Sequence, residues 1–79
     1  MILAANHTAR IAIRQLTDAM RARELLEHAR MSCSLVRLRP GEAPGGCAWG
    51  LELPARELHE AVRMLERAGI RHHVLEGLP

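Results

Sequence analysis

The sequence predicts an α+β fold of order β-α-β-β-α-β, four antiparallel strands with two helices on one face of the sheet. Three observations carry that prediction. Segments with apolar residues at period two alternate with segments at helical period, Gly and Pro cluster between the two middle strands, and one helix-strand pattern occurs twice. The 79 residues are read as a single domain, 1–79, with a core over about 9–76 and a short N-terminal extension over 1–8. So small a chain buries only about 60% of its unfolded surface, so its margin of stability is thin.

Ile11 and Ile13, with Arg10, Ala12 and Arg14 between and around them, predict a half-buried first strand over about 9–16. Thr17 or Asp18 then caps a helix whose buried stripe is Ala19, Ala22, Leu25, Leu26 and Ala29, ending near Arg30. Ser34, Val36 and Leu38 alternate with Leu35, Arg37 and Arg39 in a second strand. Pro40-Gly41 and Pro44-Gly45-Gly46 make the following loop. A third strand is expected from Cys47 to Leu53. Pro54 suits the first turn of a second helix with the stripe Leu58, Ala61, Val62 and Leu65, and Gly69 suits its C′ position. A last strand runs from Ile70 to Glu76. The repeat is specific: Ala22, Leu26, Glu27, Ala29, Met31, Leu35 and Val36 recur at constant offset as Ala61, Leu65, Glu66, Ala68, Ile70, Val74 and Leu75. Element order and repeat together favour a ferredoxin-like sandwich with sheet order 4-1-3-2.

Composition narrows the function. All eleven basic residues are Arg, which excludes a lysine Schiff base or amine nucleophile, and the net charge of +2 does not by itself imply a polyanionic partner. Trp49 is the sole aromatic residue. The two cysteines lack metal-ligand spacing, the five histidines form no ligand set, and no metal or cofactor is expected. No stretch approaches membrane-spanning length and the opening residues lack a signal-peptide pattern, so a cytoplasmic location is expected.

Cys47 follows the Gly-rich turn directly. Counting parity back from Trp49, Leu51 and Leu53 points its side chain toward the helix layer, near Leu16-Thr17-Asp18 where the first helix begins. Free N–H groups there favour an anion and lower a thiol pKa. Arg39 and Arg71 or His72 approach the same rim, so the candidate site is Cys47 with Thr17, Arg39, His72 and Gly46. Residue chemistry leaves Cys47 open between a reactive thiol and a small packing residue. Cys33 falls at the opposite end of the sheet, roughly 20 Å away at about 3.3 Å per residue, too far for a disulfide.

The strand ending at Thr17, the Ala-rich helix from Ala19 to Leu26, the strand leading to Arg39-Pro40, Cys47 opening a strand, and the helix ending Leu65-Glu66-Arg67-Ala68-Gly69-Ile70 cover nearly all of 9–76. In this respect the chain resembles a family of small bacterial and archaeal domains described as selenium/sulfur carrier-like proteins. Similar proteins carry a Cys-Gly pair at that strand start; here Ala48 stands in place of the Gly, and Gly45-Gly46 replace serines. The resemblance implies that Cys47 receives sulfur or selenium as a persulfide or perselenide and passes it between donor and acceptor proteins, with no cofactor and no catalysis of its own.

The sheet face away from the helices supports the competing reading. Parity places Arg10, Ala12, Arg14, Leu35, Arg37, Arg39, Ala48, Gly50 and Glu52 there. Base stacking needs aromatics that this face lacks, so nucleic acid is not the expected partner. Its small central residues suggest a patch on which a second sheet packs. The alternative function is therefore a non-catalytic homodimeric regulatory or interaction module in which Cys47 is structural.

Overall fold

The computed structural model describes residues 7–75. The elements are β1 (Thr8–Ile13), α1 (Leu16–His28), β2 (Ser34–Arg37), β3 (Trp49–Pro54), α2 (Leu58–Arg67) and β4 (His73–Leu75). They form a four-stranded sheet of order β2-β3-β1-β4, every neighbouring pair antiparallel. Read from the other edge this is the expected order, and the α+β architecture is compatible with a ferredoxin-like fold. No helix among the described residues is long and apolar enough to cross a membrane.

The main core lies between the helices and one sheet face. Ile11, Ile13, Leu51 and Leu53 of the central strands meet Ala19, Ala22 and Leu26 of α1 and Ala61 and Leu65 of α2. Ile11, Ile13, Leu26, Leu51, Leu53 and Leu65 are each less than 2% exposed or close to it. Burying a side chain of this size contributes about 1.5–3 kcal/mol, so this cluster carries most of the stability. In α1 the expected stripe narrows: Ala29 is exposed and Leu25 only half-buried.

The sequence repeat has a structural counterpart at the helix ends. In α1, Arg30 N donates to Glu27 O and Met31 N to Leu26 O; in α2, Gly69 N donates to Glu66 O and Ile70 N to Leu65 O. Both helices thus close with the same pair of bonds, which satisfies carbonyls that would otherwise lack partners. The C′ residue is left-handed in each, Arg30 at φ 65 and Gly69 at φ 72. Gly69 takes this conformation freely, whereas Arg30 does so against the clash of its Cβ.

Several expected boundaries shift. Thr17 does not cap α1; the N-cap is Gln15, which makes no side-chain capping bond, and Thr17 lies inside the first turn. Pro54 closes β3 opposite Thr8 instead of entering a helix, and a 3₁₀ turn over Ala55–Glu57 precedes α2. β3 begins at Trp49, not at Cys47. β4 is shorter than expected and begins at His73, while Glu76 lies outside the described residues.

The register also corrects the face assignment of β2. Leu35 pairs with Leu51 and Val36 with Gly50, so Leu35 and Arg37 lie on the helix side and Val36 on the other. Arg37 sets its guanidinium 4.8 Å from the Trp49 ring centroid, a cross-strand cation–π contact. A count of alternating residues cannot fix which set faces inward when both sets contain leucine and arginine.

Candidate functional site

On the face away from the helices, one row crosses all four strands: Val36, Gly50, Ala12 and His73 stand opposite one another in successive ladders. Its two middle members are the smallest residues of the row, and they leave room above the sheet. The chain fills that room itself. After β2 it continues through one more ladder bond, Leu38 N to Ala48 O at 2.8 Å, and the intervening segment folds back so that Leu38, Ala43 and Cys47 pack on Ala12. A Cβ built on Gly50 would stand 3.1 Å from Leu38 Cδ2 and 3.3 Å from Val36 Cγ2, so glycine is what allows Leu38 to lie down on the sheet. Ala12 and Gly50, expected as the landing patch for a second sheet, are buried within the chain.

Cys47 therefore faces away from the helices, contrary to the parity count. The reason is local backbone geometry. Gly45 and Gly46 are both left-handed, and Cys47 at φ −63, ψ 130 is in the polyproline II region. Such backbone turns its side chains by a third of a circle per residue instead of half, so the two-residue alternation of β3 does not extend back to Cys47. The same turn takes the thiol away from the start of α1. Thr17 lines a separate groove with Met20, Arg21, Arg23, Glu24 and Glu27, and is not part of the Cys47 surroundings.

The other expected neighbours are divided between two clefts that meet at Cys47. Cys47 is 7% exposed and forms part of the wall of two clefts. The larger, about 600 Å³, is lined by Leu38, Arg37, Arg39, Gly46, Cys47 and Ala48 together with Pro40 and Gly41. The smaller, about 110 Å³, is lined by Arg14, Gly45, Cys47, Arg71, His72 and His73. Four arginines and two histidines border these clefts, and no carboxylate is among the lining residues.

His72 has a defined tautomer. Its Nδ1 lies 2.9 Å from the Ile70 carbonyl oxygen, which can only accept, so Nδ1 carries the proton and donates. Nε2 has no hydrogen-bond partner among the described residues and remains an acceptor in the neutral ring. Cys33 lies on the other face of the sheet, packed against the main core, with Sγ 3.9 Å from the Arg23 carbonyl oxygen. Burial first, and Glu27 second, push its thiol above the ordinary range. Both cysteines are free.

Two residues outside the expected site hold the cover in place. Arg10 Nη1 donates to Glu42 Oε2 at 2.7 Å and Arg10 Nε donates to Glu52 Oε2 at 2.9 Å, while Glu42 Oε1 accepts from the Arg39 backbone N–H at 2.7 Å. Glu42 is thus bound to the sheet and to the base of its own loop. A signal for it was present: Glu42 is the sole acid between Glu27 and Glu52, in a stretch that carries Arg30, Arg37 and Arg39. Among the described residues no group of three or more His, Cys, Asp or Glu side chains is arranged to hold a metal ion. No family model matches the chain, and no curated protein or solved structure matches it.

Proposed function

We propose that the protein is a sulfur or selenium carrier of ferredoxin-like βαββαβ fold, holding a persulfide or perselenide on Cys47 for transfer between donor and acceptor proteins. The observation that carries this reading is the position of Cys47 in the wall shared by two arginine-lined clefts without a lining carboxylate. A carrier thiol must ionise to accept a sulfur atom, and a terminal sulfane sulfur must remain reachable by a second partner. His72 lines the smaller cleft with Cys47 and is the base this reading assigns to the thiol proton: with Nδ1 committed to Ile70, its Nε2 is left as the acceptor. Gly41, Gly45 and Gly46, all left-handed, allow the covering loop to move aside for a partner.

Intact-protein mass spectrometry after exposure to a cysteine desulfurase with cysteine, or to a selenide donor, tests the proposal. Wild type and Cys33→Ser are expected to gain one sulfur or selenium mass, and Cys47→Ser none. An adduct that persists in Cys47→Ser overturns it.

A further inference from the structure

We propose that the smaller cleft beside Cys47 is a binding site for a small sulfur oxyanion of the thiosulfate class, which donates its outer sulfur to the thiol; this rests on Cys47 being the carrier residue. The β1–β4 ladder ends with Ala12 opposite His73, and Arg14 and Arg71 follow two residues beyond it, where the chain at the end of β1 and the chain entering β4 border one cleft. Both arginines line the cleft, and neither is paired with a carboxylate among the described residues. Two like charges on one small cleft repel each other, and a bound dianion between them reverses the sign of that interaction. Guanidinium groups also match oxyanions with two parallel N–H donors.

Size decides the class of anion. A cleft of about 110 Å³ has room for a small polyatomic ion. Organic ligands and nucleotides occupy sites of about 300–1,000 Å³. Phosphate and sulfate share the charge and dimensions of thiosulfate, but neither contains a sulfur that a thiol can remove. Cys47 in the cleft wall selects the sulfane-bearing oxyanion as the reactive occupant.

The transfer balances without an oxidant. His72 takes the thiol proton, the Cys47 thiolate attacks the outer sulfur of thiosulfate, and an Sγ–S bond forms. The S–S bond of thiosulfate breaks and sulfite departs with its electron pair, leaving the Cys47 persulfide anion.

The test uses thiosulfate labelled in its outer sulfur. Wild type is expected to gain one labelled sulfur at Cys47 with release of one sulfite, and inorganic sulfate is expected to compete. Loss of one charged hydrogen-bond donor costs about 1.5–3 kcal/mol, so Arg14→Ala and Arg71→Ala should each slow loading from thiosulfate by about 10–100-fold, a larger factor than the one by which they slow loading by the desulfurase. Sulfate binding to Cys47→Ser, followed by amide chemical shifts, is expected to persist and to be lost in Cys47→Ser combined with Arg71→Ala. Loading by the desulfurase but not by thiosulfate overturns this proposal and leaves the carrier reading intact. Loading from thiosulfate that is unchanged in both arginine variants overturns the assignment of the cleft. Failure of both donors overturns the carrier reading as well.

Discussion

Arg10 of β1 holds Glu42 of the β2–β3 loop at 2.7 Å, and this contact fastens the cover over Cys47 to the sheet beneath it. The Arg39 backbone N–H, and then the Arg10 charge, hold the Glu42 carboxyl below the usual carboxylate range. A group whose folded pKa is depressed stabilises the structure above its unfolded pKa and ceases to do so as pH falls through the folded value. The fastening is therefore complete at neutral pH and fails on the acid side of the ordinary glutamate range. Glu42→Gln is expected to speed alkylation of Cys47 by a neutral maleimide severalfold at pH 7 with little change in the unfolding midpoint. Hydrogen exchange at the Arg39 amide, corrected for its intrinsic rate, is expected to show the same opening in the wild type as pH falls.

Arg30 occupies at φ 65 the position that Gly69 occupies at φ 72. The left-handed conformation costs a residue with a Cβ about 1–2 kcal/mol, part of which glycine returns through the entropy it loses on folding. Arg30→Gly is expected to stabilise the protein by about 0.5–1 kcal/mol, and Gly69→Ala to destabilise it by about 1 kcal/mol, both measured by urea denaturation.

Gly50→Ala forces Leu38 or Val36 to give way by a few tenths of an ångström. Overpacking of this kind costs about 1–3 kcal/mol, and the lower end applies because both neighbours are side chains at one edge of the sheet. A double-mutant cycle with Leu38→Ala checks the cause: most of the Gly50→Ala penalty should vanish once Leu38 is shortened.

The two thiols should differ in kinetics. With its thiol pushed up by burial and by Glu27, Cys33 in the Cys47→Ser variant is expected to react with a disulfide reagent more slowly at pH 7.5 than a free cysteine. Its rate should continue to rise with pH beyond the point where that of free cysteine levels off.

The helix–strand framework was legible because each helix buries a stripe of alanine and leucine and the second half repeats the first. Leu26 and Leu65 occupy equivalent places down to the carbonyl each offers at its helix end. The neighbourhood of Cys47 was legible in part, and its orientation was not. Arg39 and Gly46 share one cleft with Cys47 and His72 shares the other, on the side of the sheet opposite to the one expected, and Thr17 lines neither. Alternation carries directional information only inside a pleated strand, and the backbone leaves the pleat between Gly45 and Ala48. The Arg10–Glu42 contact joins residues far apart in sequence, and neither belongs to a local motif that announces it.

Trp49, half-buried against the helix-side core, and Cys47, enclosed on the reverse side, lie two residues apart in the chain yet sample different environments. Fluorescence from the lone tryptophan reports the helix layer, and a label on the thiol reports the loop. The molecule thus carries two independent optical channels, and raising the loop should change the second while the first stays silent.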